Sequence, residues 1–473
     1  MDLSLLNDVL KTVGEAPAGD EVELVGNDPV FPLVLPIGEP GAASIAASAL
    51  AAARLWELRG GGRQKVRVDV DAAAAAMRSD RYLVRERAST DTAPSPRQVR
   101  GERGDIYQTA DGRWVYLHRG FAHHRARIAG VLDGANDEAA LVEAVAKWNA
   151  LELEDAIHAA GACAGMIRSY DEWAAHEQGK AIAAMPLMEI ERVGDSAPEP
   201  LPAADRPLSG IRVLDLTRVL AGPTCARTLA EHGAEVLRIG TDLLPNNETQ
   251  IIETGHGKRS TVLDLTTESG REQLRTLAKD ADVFSQGYRP GSFASKGFDV
   301  DDLVKLRPGI VYVTICAFSE NGPWSHRRGF DTLVQAVSGI SNDYVIGGQP
   351  RLLPLSVLDY TTGYLAAFGV MAALRRRALE GGSYHVRISL AQAGWWVTHL
   401  PRFDRAAVEQ LPKDLSPERL EALKITTDTP FGPLHHLGPI AQMSETPARW
   451  EQPTVPLNHD APEWLTTEAS PPR

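Results

Sequence analysis

Short apolar runs alternate with amphipathic stretches over the middle of the chain, from residue 208 to about residue 316. Valine, leucine and isoleucine dominate these runs, and the stretches between them have the periodicity of helices. Strands that alternate with helices of roughly ten to fifteen residues are typical of parallel sheets with helices on both faces. The pattern therefore predicts an α/β fold with a Rossmann-like, mostly parallel sheet. Its predicted strands are residues 211–216, 234–239, 260–265, 282–284 and 309–316.

A long helix rich in small residues follows this region, and one carboxylate precedes it. Apolar residues recur in it at helical spacing and Gly381 follows its end, so the pattern predicts a helix over residues 361–379. Asp359 stands just before that helix. The free backbone N–H groups and the positive dipole end of a helix N-terminus favour an ionised carboxylate. Asp359 is therefore either an N-cap residue or a carboxylate held ready for chemistry.

The same arrangement of helix, glycine stop and strand occurs near the N-terminus. When Gly60 is aligned with Gly381, Arg54 falls on Arg375 and Gly38 falls on Asp359. This match predicts an internal repeat. Its first copy lacks the carboxylate.

Between the two copies lies a smaller α+β unit. Two alternating runs flank Asp111-Gly112, a dipeptide that favours a hairpin turn, and helical patterns follow near residues 122–132, 137–148 and 153–160. The charged segment 79–105 is predicted to be a surface linker. A stretch rich in proline, alanine and acid marks the main boundary near residue 200. The chain is thus divided into a partial large-domain repeat, a small α+β domain with a return segment, a Rossmann-like domain and a closing segment, over residues 1–78, 79–200, 201–400 and 401–473.

Composition narrows the choice of partners. The 473 residues are 43% hydrophobic and carry a formal net charge of -13. The electrostatic field of this negative net charge repels nucleic acids and anionic membranes, so an anionic ligand needs a local basic pocket. No apolar stretch is predicted to reach the length of a membrane span. The three cysteines and thirteen histidines show neither disulfide nor metal-ligand spacing, which favours a reducing, cytoplasmic setting and no metal.

Basic side chains occupy loops at the predicted strand ends. Lys258, Arg289 and Lys296 belong to this group, and a basic turn lies at residues 326–328. Each is either a solvated charge or a phosphate contact. Asp331 opens a predicted helix over residues 332–337, so it is either the N-cap of that helix or a site residue.

Five segments together resemble the family III CoA-transferases, the group that includes formyl-CoA transferase, the carnitine CoA-transferase and α-methylacyl-CoA racemase. They occur in family order, at residues 207–223, 257–265, 288–291, 329–339 and 358–363. The resemblance implies a Rossmann-like large domain, a smaller α+β domain and two interlocked subunits. It also implies acyl-CoA:carboxylate CoA transfer through an aspartyl-CoA thioester, with acyl-CoA and a small carboxylic acid as partners. Coenzyme A is then a substrate, and no cofactor is bound permanently.

The resemblance also implies roles for individual residues. Asp359 falls on the nucleophile, and Asp331, Phe330 and Leu220 fall on the part of the pocket that holds the acyl group or acid. Phe330 replaces the histidine of the racemases, and Leu220 replaces the glutamine of formyl-CoA transferase. The residues that fall on CoA contacts are Arg218, Val219, Ala221, Lys258, Tyr288, Arg289 and Lys296.

The parts of the chain stand in an unusual order for this family. Residues 41–207 resemble the second half of a member, whereas residues 208–400 resemble a first half. Two alternatives to CoA transfer therefore stay open. One is an acyl-CoA isomerase, racemase or lyase that uses Asp359 as a base, and the other is a non-catalytic subunit that binds CoA.

Overall fold

The structure is a computed structural model, and it describes residues 2–85 and 104–465. Its helices are α1 Ser4–Thr12, α2 Gly38–Leu58, α3 Val70–Ala76, α4 Ala122–Val131, α5 Glu138–Val145, α6 Ala150–Ala159, α7 Tyr170–Ala175, α8 Glu177–Ala183, α9 Ala221–Glu231, α10 Glu248–Thr254, α11 Glu268–Lys279, α12 Val300–Leu306, α13 Asp331–Val337, α14 Ile340–Asp343, α15 Val357–Glu380, α16 Leu390–Thr398, α17 Arg405–Val408 and α18 Pro417–Leu423. Its strands are β1 Val22–Val25, β2 Val66–Asp69, β3 Val84–Arg85, β4 Ile106–Gln108, β5 Trp114–Leu117, β6 Ala164–Met166, β7 Glu189–Gly194, β8 Arg212–Asp215, β9 Glu235–Gly240, β10 Lys258–Val262, β11 Val283–Gln286, β12 Val311–Cys316, β13 Val345–Ile346, β14 Gln349–Pro350, β15 Ser383–Ser389, β16 Lys424–Thr429, β17 Gly432–Leu437 and β18 Gln442–Met443.

A seven-stranded sheet forms the centre of the larger part, in the order β10-β9-β8-β11-β12-β15-β7. The first six strands are parallel, and β7 pairs antiparallel with β15. This confirms the predicted α/β class and the mostly parallel sheet. Counted along the chain from β8, the parallel strands have the order 3-2-1-4-5-6, which is that of doubly wound nucleotide-binding sheets. In such sheets the crevice for a ligand opens where the order reverses, here between β8 and β11.

Helix α15 is the core helix of the molecule. It packs against α2, α9 and the sheet, and its apolar residues belong to the main core. The prediction that no apolar segment is as long as a membrane span was wrong. The 24 residues of α15 are long and apolar enough to cross a membrane. The apolar window is wholly buried inside the protein, as the core helix of a globular domain is.

The two helices equated by the predicted repeat, α2 and α15, lie side by side. Arg54 and Arg375, which the alignment matched, both contact Glu15, at 3.0 and 3.7 Å. The carboxylate of Asp28 accepts the backbone N–H groups of Gly38 and Glu39, and so caps the start of α2. The C-terminal segment joins this part of the molecule, since β18 pairs with β2 and β17 with β3.

The smaller α+β unit has a sheet of β4, β5 and β6, and the predicted hairpin is present with Gly112 at φ 73°. It is fixed to the larger part by a buried carboxylate, because Glu154 pairs with Arg168 and with Arg327. The linker prediction over residues 79–105 was wrong at its start, where Tyr82 is buried. Residues 86–103 of that prediction lie outside the described part of the chain.

Candidate active site

A cavity of about 330 Å³ opens at the carboxyl ends of β8, β11 and β12. The loops that follow these strands line it, as expected for the point where the strand order reverses. Asp359, from the first turn of α15, lines the same cavity. The segment 121–124 of the smaller unit supplies another wall. One chain therefore brings residues of both units to a single site.

The structure brings together seven of the predicted site residues and leaves four outside the cavity. The lining includes Arg218, Val219, Ala221, Tyr288, Arg289, Phe330 and Asp359. It does not include Leu220, Lys258, Lys296 or Asp331. Leu220 is 3% exposed and belongs to the core. The ammonium of Lys296 donates to the carbonyl of Ser292 in its own loop.

The Asp359 carboxylate is nearly buried, with 6% of the residue exposed. Asp359 is the third residue of α15, after Ser356 at the cap position, so the N-cap interpretation was wrong. Burial raises its pKa well above the usual range, and the charges of Asp331 and Asp80 raise it further. The backbone N–H of Ala221 opposes this rise in the pKa. The site thus holds a carboxyl group that keeps its proton more readily than an ordinary aspartate does.

Asp331 acts on the backbone that carries Asp359. Its Oδ2 accepts the N–H of Leu358 at 2.8 Å and the N–H of Asp359 at 3.0 Å, and the Gln335 amide donates to its Oδ1. Asp331 is the first residue of α13 rather than its N-cap, so that prediction was wrong. It caps the start of α15 instead. The predicted contact of Asp331 with a substrate has no support here, because its oxygens have protein partners and it lies outside the cavity lining.

Lys258 is buried beneath the loop that follows β8. Its ammonium donates to Asp215 Oδ2 at 2.8 Å and to the carbonyl of Pro223 at 2.7 Å. Burial lowers its pKa to about 8, although Asp215 favours the charged form. Lys258 is 1% exposed and lies outside the cavity lining, so its burial does not support the predicted CoA contact, which stays a prediction.

Three guanidinium groups at the cavity have no carboxylate partner among the described residues: Arg218, Arg289 and Arg328. Arg218 donates to the carbonyl of Pro245. Burial and then the charge of Arg289 lower the pKa of Arg328, so the two guanidinium groups repel each other. The cavity is thus a local basic pocket in an acidic chain. In residues 2–85 and 104–465, no group of three histidine, cysteine, aspartate or glutamate side chains could hold a metal ion.

Residues 208–424 match the sequence profile of CoA-transferase family III. An acetyl-coenzyme A transferase of Hypoxylon pulicicidum is 33% identical over 318 residues, which are 62% of this chain and 54% of that protein. A succinyl-CoA:glutarate CoA-transferase of Mus musculus is 31% identical over 200 residues, 39% of this chain and 45% of that protein. This chain spans about half the length of the curated relatives it matches.

Solved structures are similar to this chain over a part of its length. The crystal structure of a CAIB/BAIF family protein from Brucella suis is 26% identical and covers 49% of this chain and 65% of that one, with a TM-score of 0.39. A structure from Mycobacterium tuberculosis is 31% identical over 41% of this chain and 57% of that one, also with a TM-score of 0.39.

The family III region shares its cavity with an aromatic wall that the sequence did not reveal. The His118 ring stacks on Phe330 with centroids 4.0 Å apart, and His118 Nδ1 lies 3.1 Å from His124 Nδ1. Burial lowers the pKa of His124 to about 4, so its ring is neutral near pH 7. Phe121 and His123 complete this wall. The sequence predicted a helix near residues 122–132, but nothing in that pattern places it at the family III site.

Proposed function

We propose that this protein transfers CoA from an acyl-CoA thioester to a carboxylic acid, with Asp359 as the nucleophile. One observation carries the proposal: the Asp359 carboxylate faces the same cavity as three guanidinium groups that have no carboxylate partner within residues 2–85 and 104–465. The match of residues 208–424 to the family III profile supports it, as do the names of the relatives.

The guanidinium groups suit the phosphates of coenzyme A. Arginine binds phosphate through two parallel hydrogen bonds, and these are stronger than hydrogen bonds between neutral groups. An anion between Arg289 and Arg328 would also relieve their mutual repulsion. Arg218, on the loop after β8, lines the same cavity as Tyr288, on the loop after β11. The phosphates would therefore bind at the point where the strand order reverses, and the thioester would extend toward Asp359.

The chemistry takes place in two exchanges at Asp359. Its carboxylate oxygen attacks the thioester carbonyl, the carbon–sulfur bond breaks, and CoA thiolate leaves an acyl-aspartyl anhydride. The thiolate then attacks the aspartyl carbonyl carbon and releases the donor carboxylate, which leaves an aspartyl-CoA thioester. The acceptor carboxylate repeats these two steps in reverse order, takes the CoA and regenerates the free carboxylate. No proton is gained or lost over the cycle.

The environment of Asp359 gives this scheme a pH dependence. Attack requires the ionised carboxylate, and burial raises its pKa. The N–H of Ala221 favours the ionised form. The rate therefore rises as the pH passes upward through the raised pKa of Asp359.

Trapping of the intermediate tests the proposal. The protein is incubated with an acyl-CoA and hydroxylamine, and the modified residue is identified by peptide mass spectrometry. We expect a hydroxamate on Asp359 that depends on acyl-CoA and is absent from the isosteric variant Asp359→Asn. Transfer activity with an unmodified Asp359 would contradict the role of this residue.

Two further outcomes distinguish the alternatives. Exchange of the α-hydrogen of the acyl-CoA with deuterated water, without transfer to an acid, would favour an isomerase, racemase or lyase. CoA binding without turnover of a panel of acyl-CoA esters would favour a non-catalytic subunit.

A further inference from the structure

A buried ion pair lies under the loop that carries part of the cavity lining. Asp215 ends β8 and is 0% exposed, and Lys258 begins β10 and is 1% exposed. Because β9 lies between these two strands, the lysine reaches across one strand to its partner. Burial of two charges costs more than most pairs recover, and apolar replacements are often as stable. A contribution to stability therefore explains this pair poorly. Its contacts with the loop explain it better.

The pair holds both ends of the loop. At the first end, Asp215 Oδ1 accepts the N–H of Thr217 at 3.0 Å and also its hydroxyl. At the second end, the Lys258 ammonium donates to the carbonyl of Pro223 in the first turn of α9. Between these ends Val219 adopts φ 72°, in the left-handed region that β-branched residues avoid. Such a conformation persists only where the surroundings determine it.

The loop delivers one donor to the nucleophile. Ala221, the first residue of α9, lines the cavity together with Asp359, and its backbone N–H favours the ionised form of that carboxylate. Helix α15 comes very close at this point, since a Cβ on Gly363 would lie 2.6 Å from the carbonyl oxygen of Ala221. A change in the loop therefore reaches Asp359 directly.

We propose that Asp215 and Lys258 are positioning residues for Asp359, which act by fixing the loop 217–220 so that the backbone N–H of Ala221 stays beside the carboxylate. The proposal rests on the proposed function. Neither side chain lines the cavity. Lys258 thus acts on the site through its contacts with Asp215 and Pro223, and not through contact with a ligand.

The test replaces the pair by neutral side chains of similar size, as Asp215→Asn/Lys258→Met. The matched control is Asp282→Asn/Arg377→Met, which removes a buried pair with a 3.0 Å contact at the amino-terminal end of the same sheet. Transfer is measured as kcat, as KM for the acyl-CoA and as the pH profile of kcat/KM. We expect the first variant to lose about 100-fold in kcat, the usual cost of a misplaced reacting group, with little change in KM. Its acidic limb should move to higher pH, because the carboxylate loses the donor that favours its ionised form. The control should lower the melting temperature without moving that limb.

The outcomes separate this proposal from the proposed function. A wild-type protein without transfer activity overturns the proposed function. A wild-type protein that transfers CoA, beside a first variant with an unchanged kcat and pH profile, overturns the positioning role. A crystal structure of the variant gives a reading that needs no activity: Val219 in the same conformation, with Ala221 in the same position relative to Asp359, also overturns it. If the double variant does not fold, Thr217→Val removes one loop contact without burying a charge, and it should move the acidic limb in the same direction.

Discussion

Replacement of Asp331 by asparagine separates a group that holds Asp359 from a group that touches the substrate. Asp331 accepts three hydrogen bonds, two from the backbone N–H groups at the start of α15 and one from the Gln335 amide. An asparagine side chain offers one oxygen, so its NH₂ group must face one of these donors. Gln335 cannot turn without loss of another bond, because its own oxygen accepts the N–H of Leu353 at 2.8 Å. The orientation that keeps both α15 bonds loses one buried bond, at a cost of about 1–3 kcal/mol in the free energy of unfolding, and the opposite orientation loses two.

Asp331→Asn also changes the charge beside the nucleophile. Asp331 is the charged neighbour that contributes most to the raised pKa of Asp359, so its loss lowers that pKa. The acidic limb of kcat/KM should therefore move to lower pH, while urea unfolding shows the loss in stability. Asp80→Asn is the control, since Asp80 raises the same pKa more weakly and makes none of these three bonds. A higher KM for the acceptor acid with an unmoved acidic limb would refute this reasoning and place Asp331 in contact with the substrate.

Three further predictions follow from the same structure. Arg289→Ala and Arg328→Ala should each raise KM for the acyl-CoA with kcat nearly unchanged, since they remove binding that is equal in the ground and transition states. Gly363→Ala should destabilise the protein by about 1–3 kcal/mol through overpacking against Ala221, and it should lower kcat because it displaces α15. Burial lowers the pKa of His158 to about 4. The stability that its neutral ring contributes above pH 6.5 is therefore lost as the pH falls toward about 4. His158→Gln should reduce the dependence of the melting temperature on pH.

Each of these has its own control. Arg275→Ala removes an arginine that pairs with two glutamates on the outer helix α11, and a similar rise in KM there would exclude a local effect at the cavity. Gly130→Ala adds a methyl group to a helical glycine with nothing nearby, so it should stabilise the protein by up to about 1 kcal/mol. An unchanged acid sensitivity in His158→Gln would show that other groups cause it.

The sequence predicted those parts of the fold that depend on local periodicity. The alternation of strands and helices after residue 208 corresponds to the parallel sheet, and the helix predicted over residues 361–379 is α15 with one more turn at its start. That extra turn changes the interpretation of Asp359, which lies inside the helix rather than at its cap. Helix boundaries depend on which groups cap them, and the cap here comes from Asp331 on another helix.

Contacts between distant parts of the chain could not be predicted in this way. A basic residue at a strand end looks the same whether it faces a ligand or pairs beneath a loop, and only the fold shows that Lys258 meets Asp215. Arg328 belonged to a turn that was equally compatible with solvated charge, and it lines the cavity. The wall around Phe121 comes from a different unit of the chain. The interlocked homodimer implied by the resemblance stays a prediction.

Strand β7 comes from residues that precede the family III region, yet it covers the outer edge of β15. A recombinant fragment that begins at residue 208 would lack β7. The backbone donors and acceptors at the edge of β15 would then be unpaired and could pair with a strand of another molecule. The fragment that begins at residue 208 should therefore aggregate. A fragment that begins before Glu189 keeps β7 paired with β15 and should stay monodisperse.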